Sequence, residues 1–278
     1  MNSKVVNISL LAGCLLMTAV YGITYWSAHR SDRIDPPTIT FDEEVLTVSV
    51  SADEAVLLEG VQATDVLDGD VTGSLMIESI SNLLPGNERI ITYVAFGGDH
   101  RVGKADRRMV YTDYESPHFS VAEPLIISSA EAYVTDAIRK VEARDCIDGN
   151  ITNKIVTLGT DPVEIVLGEQ FLPIRLQAFN SCGDMAEIRL RVLVQSAGHM
   201  MTIRPELTEY LVYLEQGEDF DPRSLLKTEF LTQAGLRASD VEILSDVNTS
   251  LPGTYTVLYI VRQDEARAVT PLPVIVQE

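Results

Sequence analysis

Residues 63–72 read ATDVLDGDVT, and residues 143–152 repeat this stretch as ARDCIDGNIT. The two stretches start 80 positions apart and are identical at five of their ten positions. The shared Asp-Gly step is a turn signal, because glycine accepts positive φ and an aspartate side chain binds nearby backbone amides. A turn motif that recurs within one chain indicates an internal repeat of about 80 residues.

Two further similarities extend the repeat on the C-terminal side of the motif. The stretch ITYVAF at residues 91–96 matches IRLQAF at residues 174–179. The stretch NLLPGNERIITYV at residues 82–94 matches TSLPGTYTVLYIV at residues 249–261. The second match predicts a third copy, in which the Asp-Gly-Asp segment of the first copy is missing.

Short strands are predicted in every copy. Apolar and polar residues alternate over residues 46–51 and 188–194, which is typical of antiparallel strands with one buried face. Residues 255–261 are rich in the β-branched and aromatic residues that favour strands. In the third copy, Asp221 and Pro222 predict a short helical turn, with aspartate as its cap. Several strands per copy, separated by turns, predict β-sandwiches.

The predicted fold class is all-β, with three tandem immunoglobulin-like sandwiches after one N-terminal transmembrane helix. Prolines at positions 36, 37 and 117 mark the beginning of the first and second copies, because proline cannot extend a sheet ladder. The predicted divisions are an anchor helix and linker over residues 1–35 and sandwich domains over residues 36–115, 116–196 and 197–278.

The apolar, charge-free run from Val5 to Trp26 predicts the membrane anchor. In a helix it would be about 33 Å long, enough to cross the hydrocarbon core of a bilayer. We expect a single pass, with the N-terminus in the cytoplasm and the C-terminal modules outside the cell. Two alternatives are a cleaved signal peptide and a lipoprotein signal that ends at Cys14, which would then be acylated.

The repeat motifs resemble those of the bacterial Ig-like domains that are named after an insecticidal crystal protein. In that family an opening Pro-x-Ile precedes the Asp-Gly-Asp segment, and a Pro-Gly-x-Tyr segment leads into a later strand. The first copy has the complete Asp-Gly-Asp segment, the second has Asn150 in place of the last aspartate, and the third has only Pro252, Gly253 and Tyr255. The resemblance covers nearly all of residues 36–278, and it implies Ig-like modules on the surface of a Gram-positive bacterium.

The acidic residues of the first copy have two interpretations. Asp65, Asp68 and Asp70 offer several oxygens to Ca²⁺, and Asp99 would lie in a loop at the same end of an Ig-like sandwich. The other interpretation is a tight turn in which the aspartates bind backbone amides. No other cofactor is predicted.

Cys146 and Cys182 are predicted to form a disulfide. They are the two cysteines outside the N-terminal run, and in an Ig-like sandwich their loops would be neighbours. The alternative is two buried free thiols.

Composition and motifs exclude several functions. A net charge of −20 disfavours nucleic acid as a partner, because nucleic-acid binding requires a basic surface. The four histidines are dispersed and accompany neither a nucleophile motif nor a metal-ligand spacing. We therefore expect no enzymatic activity.

The predicted function is that of a membrane-anchored, extracellular protein of tandem Ig-like modules, acting as a surface spacer, adhesion or interaction rod. Candidate partners are an envelope polysaccharide or another surface protein. The alternative is an anchored assembly or receptor subunit whose modules dock a protein partner.

Overall fold

The computed structural model describes residues 3–30, 35–98, 100–127, 133–195, 204–263 and 266–277. The chain divides into two compact units, Met1–Thr112 and Asp113–Glu278. We refer to residues 35–112 as the first repeat, 113–195 as the second and 204–277 as the third.

Helix α1 (Ser3–Arg30) begins the chain. Its side chains are described from Gly13 to Trp26, and all of these are exposed. In the described part of the chain, no helix is both long enough and apolar enough to span a membrane. This finding contradicts the predicted single-pass localisation, with Val5 and Trp26 as the ends of the span.

The first repeat is a β-sandwich of two sheets. Its elements are β1 (Thr38–Phe41), β2 (Val45–Val48), α2 (Glu54–Leu57), β3 (Val61–Asp65), β4 (Gly69–Asp70), β5 (Met76–Ile80), β6 (Glu88–Phe96) and β7 (Val102–Tyr111). One sheet has the order β1-β3-β4 and the other β2-β7-β6-β5, with β2 parallel to β7. Alternate residues of β3, such as Ala63, meet Ile91 and Tyr93 of β6 in the core between the sheets.

The second unit contains the other two repeats. Its elements are β8 (His118–Val121), β9 (Ile126–Ile127), α3 (Tyr133–Ile138), β10 (Val141–Asp145), β11 (Gly149–Asn150), β12 (Val156–Thr160), β13 (Glu164–Val166), β14 (Glu169–Phe179), β15 (Met185–Val194), β16 (Val212–Leu214), α4 (Thr228–Ala234), β17 (Glu242–Ser245), β18 (Gly253–Gln263) and β19 (Ala266–Val276).

All three repeats contain a sheet with the same strand order. The orders β12-β14-β15-β9 and β17-β18-β19-β16 correspond to β5-β6-β7-β2 of the first repeat, and in each sheet the last-named edge strand is parallel to its neighbour. The second repeat also has the small sheet β11-β10-β8. These sheets confirm the predicted β class.

The third repeat has helical structure where the others have their small sheet. A 3-10 turn, Pro222–Leu225, is capped by Asp221 as the sequence predicted. Helix α4 follows, and its Phe230 and Leu231 pack in one cluster with Val257 and Tyr259 of β18. The helix therefore covers the sheet that the missing Asp-Gly-Asp hairpin would otherwise face.

The second and third repeats pack sheet against sheet. Phe171 and Leu193 are directly opposite each other on β14 and β15, and they share a buried cluster with Leu258, Ile260 and Val269 of β18 and β19. The cluster joins two repeats that the sequence predicts as separate sandwiches.

The predicted domain boundaries stay predictions. The boundary between residues 115 and 116 lies near the division between the two units. The boundary between residues 196 and 197 lies outside the described residues. The count of three domains therefore stays a prediction.

Candidate functional site

The aspartates of the first repeat accept hydrogen bonds from backbone amides in and near its turns. Asp65 is buried, and its Oδ1 accepts hydrogen bonds from the amides of Leu67, at 2.7 Å, and Asp68, at 3.1 Å. Asp68 Oδ2 accepts from the amide of Gly98 at 2.6 Å, which connects the turn to the β6–β7 loop. Gly69 completes the turn with a φ of +75°, a conformation that favours glycine.

The last aspartate of the motif holds the residue that follows the hairpin. Asp70 Oδ1 accepts from the amide of Thr72 at 2.9 Å, and hydrogen bonding to Thr72 lowers the pKa of Asp70. The Thr72 hydroxyl in turn accepts from the amide of Ala63 at 3.0 Å. The recurring threonine thus links the end of the hairpin to β3.

The second repeat has the same hydrogen bonds between aspartates and backbone amides, and its second aspartate accepts additional ones. Asp145 Oδ1 accepts from the amides of Ile147, at 2.9 Å, and Asp148, at 2.8 Å. Asp148 accepts from the Ser181 amide and hydroxyl, both at 2.6 Å, and from Lys154 Nζ at 2.7 Å. The Lys154 ammonium and the Ser181 hydroxyl lower the pKa of Asp148. This aspartate stays ionised and connects two loops.

These hydrogen bonds favour the turn interpretation of Asp65, Asp68 and Asp70. Oxygens that accept from backbone amides are less available to a cation, and the guanidinium of Arg101 lies 4.0 Å from Asp65 Oδ2. Among the residues with a described placement, no three histidine, cysteine or acidic side chains form a group that could hold a metal ion. Asp99 lies outside the described residues, so the calcium site stays a prediction.

The predicted disulfide is absent, because Cys146 and Cys182 are both free. Each sulfur has its own hydrogen-bond acceptor. Cys146 Sγ donates to the Glu115 carbonyl at 3.1 Å, and the buried Cys182 Sγ donates to Asn180 Oδ1 at 3.1 Å. Burial raises the pKa of Cys146, which keeps that thiol protonated. The disulfide prediction is therefore wrong. Cys14 is also a free thiol, and its acylation stays a prediction.

A polar network that the sequence did not reveal lies beside these thiols. Asn180 Nδ2 donates to Asp145 Oδ2 at 3.0 Å and to the Tyr114 hydroxyl at 2.9 Å. Tyr114 donates to Asp184 Oδ2 at 2.7 Å. Burial and the Asp184 carboxylate raise the pKa of Tyr114. The position equivalent to Asn180 in the first repeat is Gly97, so the repeat pattern gives no signal for this network.

The outer faces of the large sheets carry exposed apolar residues at equivalent positions. Phe96 is opposite Val102 on β6 and β7, and Phe179 is opposite Met185 on β14 and β15. All four side chains are at least 40% exposed. One exposed apolar residue of the neighbouring strand completes each patch, Met76 of β5 in the first repeat and Val156 of β12 in the second. The patch residues are therefore Met76, Phe96 and Val102 in the first repeat and Val156, Phe179 and Met185 in the second. We call these the outer patches.

Charged side chains near the first outer patch are paired. Lys104 forms an ion pair with Glu78, and Arg108 forms one with Glu88. Lys104 is directly opposite Val94, which lies two residues before Phe96 on β6. These two ion pairs offset part of the acidic charge of this face, on which the exposed Asp106 also lies.

Comparisons with known proteins identify no family. No family model and no curated protein matches the chain. Solved structures that resemble it include the CBM51-2 and INT domains of Clostridium perfringens ZmpB in complex with GlcNAc, with 16% identity over 57% of this chain and 41% of that chain, at a TM-score of 0.23. The M60 catalytic domain of ZmpB with CBM51-1 and CBM51-2 has 10% identity over 87% and 31%, at 0.20.

A third similar structure is that of extracellular cadherin domains 1–5 of protocadherin gamma B2. It has 11% identity over 88% of this chain and 60% of that chain, at a TM-score of 0.19. This chain thus spans between about a third and three fifths of the structures named here. Similarities this low assign neither a family nor a ligand to the chain.

Proposed function

We propose that the protein is a non-enzymatic interaction protein whose Ig-like repeats bind a second copy of the chain through their outer patches. The observation that carries this proposal is the recurrence of exposed Phe-containing pairs at equivalent positions of two repeats. Exposed apolar patches commonly mark protein–protein contacts. The aspartates of the repeat motif, in contrast, are occupied by hydrogen bonds within the scaffold.

The chemistry of the outer patches favours a protein over a polysaccharide. Phenylalanine, methionine and valine provide apolar area and no hydrogen bonds for sugar hydroxyls. We therefore favour the protein partner among the two predicted classes. Membership of the bacterial Ig-like family is part of the same proposal, supported by the turn motif and the common strand order.

Two features support a second copy as the partner. Phe171 and Phe179 lie on the same strand and the same face, and the face around Phe171 is already covered by a sheet of the third repeat. The sheet face that carries the patch thus packs against a sheet of this same chain at its other end, eight residues along β14. The ion pairs of Lys104 and Arg108 also offset part of the acidic charge at this face, which reduces the local repulsion between two acidic chains.

Sedimentation velocity of the full chain over a range of concentrations tests the proposal. We expect reversible association in the wild type and at least about tenfold weaker association after the double substitution Phe96→Asp and Phe179→Asp, because a buried unpaired carboxylate is costly. The matched control is Ile165→Asp on β13, where an apolar side chain is 79% exposed outside the patches. A wild type that stays monomeric, or a double variant that associates equally well, would refute the proposal.

A further inference from the structure

A cavity of about 520 Å³ lies where the second and third repeats meet inside the second unit. Its volume is within the range of small-molecule sites, which occur preferentially at such junctions. The residues that define its chemistry are Pro124, Arg204, Glu206, Tyr210, Phe230 and Gln233. Proline and aromatic rings form apolar walls, while the other three side chains supply a cation, an anion and an amide.

Arg204 is the central polar residue of this cavity. Its guanidinium is held in place by two neutral oxygens, the Val269 carbonyl at 2.6 Å and Gln195 Oε1 at 2.8 Å. Within the described ranges, no carboxylate oxygen lies within 4.0 Å of it, whereas most arginines of the second unit have such a partner: Arg144, Arg175, Arg189, Arg191, Arg237, Arg262 and Arg267.

The charge of Arg204 is therefore not neutralised by a direct ion pair in the described structure. Glu206 at the cavity has its own cation, because its Oε2 lies 3.8 Å from Lys227 Nζ. A second cation is close by: Lys140 Nζ donates to the carbonyls of Pro124, at 2.9 Å, and Ile126, at 3.1 Å. Burial lowers the pKa of Lys140, the charge of Arg204 lowers it further, and Glu123 raises it.

We propose that this cavity binds a small organic carboxylate with an apolar body. Arg204 would bind the carboxylate, since its rigid fork of N–H donors matches two carboxylate oxygens and only two of its nitrogens are engaged through the hydrogen bonds described above. Phe230, Tyr210 and Pro124 would contact the apolar body. The nearby Glu206 disfavours ligands with a second negative charge, so one carboxylate and no phosphate is the expected ligand class.

Two sources share this chemistry, a free organic acid and the C-terminal end of a peptide. Binding to the full chain is measured by ligand-observed NMR and calorimetry with four probes: 3-phenylpropionate, its neutral amide, and a peptide ending in phenylalanine with either a free or an amidated C-terminus. We expect each acid to bind at millimolar concentration or below and each amide to bind at least about tenfold more weakly, since hydrogen bonds to charged groups are stronger than neutral ones. If 3-phenylpropionate binds and the peptide does not, the ligand class is a free organic acid. If the peptide with the free C-terminus binds more tightly than 3-phenylpropionate, the ligand class is the C-terminal end of a peptide.

Substitutions in the third repeat test whether the acids bind in this cavity. Arg204→Gln should weaken binding of the acids about tenfold, whereas Glu206→Gln should strengthen it about twofold by removing a like charge. The matched control is Arg223→Gln, which removes an exposed arginine that also lacks a described carboxylate partner and is not among the residues lining the cavity. Thermal unfolding shows whether Arg204→Gln folds.

The proposal is overturned if acid and amide bind equally, if no probe binds at millimolar concentration, or if folded Arg204→Gln binds like the wild type. The first two of these outcomes require only the wild-type chain. Loss of affinity in Arg223→Gln, or weaker binding in Glu206→Gln, would also contradict it.

Discussion

Replacing Phe171 by alanine should separate the second repeat from the third. Phe171 is fully buried and shares a cluster with Leu193 of its own repeat and with Leu258, Ile260 and Val269 of the third repeat. Truncating a buried phenylalanine removes its transfer free energy and leaves a cavity, which together cost about 3 to 5 kcal/mol. Because the cluster contains residues of both repeats, we expect most of this loss to fall on their packing against each other.

Phe179→Ala is the matched control for this substitution. Phe179 lies on the same strand and the same face, but it is 40% exposed. Truncation there leaves no closed cavity, so we expect the free energy of unfolding to fall by about 1 kcal/mol. The large difference between two chemically identical substitutions on β14 is the quantity to be tested.

Urea denaturation, followed by hydrogen exchange resolved by peptide, measures this difference. In the wild type, strands β14, β15, β18 and β19 should lose protection together. In Phe171→Ala, strands β18 and β19 should become exposed at a different urea concentration from β14 and β15. The reasoning is refuted if Phe171→Ala costs no more than Phe179→Ala, or if all four strands still unfold together after a loss of 3 kcal/mol or more.

Three further predictions concern single residues. Hydrogen bonds from Lys154 and Ser181 lower the pKa of Asp148 in the folded state. The ionised carboxylate therefore stabilises the fold fully above the unfolded pKa of about 4, and this contribution is lost as the pH falls through the folded pKa. The difference in melting temperature between wild type and Asp148→Asn should therefore shrink on acidification, and a constant difference would contradict the assignment. Gly103→Ala should destabilise the first unit by about 1 to 3 kcal/mol in urea titrations, since an added Cβ would lie 1.9 Å from the Pro37 carbonyl oxygen. An unchanged urea midpoint would contradict this steric clash. A reducing agent should leave the melting temperature of the second unit unchanged, because Cys182 is a free thiol, and a decrease would reveal a disulfide.

The β class and the turns were predictable because their causes are local. Alternation along a strand reflects the geometry of neighbouring residues, and the Asp-Gly turns depend on aspartate oxygens two or three positions from their amides. The short helical turn after Asp221 was predictable for the same reason. Repetition then transferred these inferences from one copy to the next. The turn geometry also explains why these carboxylates favour structural roles.

The features that sequence analysis missed depend on residues that are distant along the chain. Arg107 illustrates this: it is buried in the first repeat, where it donates to the carbonyls of Glu43 and Glu59 and lies over the ring of Phe41. An arginine in an alternating strand would be expected to face solvent, and only the surrounding loops supply the acceptors that make its burial stable.

The sequence alone therefore determined the β class and the turns of the repeat motif. Tertiary structure decided which segments share a core, which thiols lack a sulfur partner and where Arg204 meets the apolar walls of a cavity. The physical reason is the range of the interactions. Hydrogen bonds within a turn are encoded by adjacent residues, whereas side-chain packing and electrostatic balance depend on every segment that the folded chain brings together.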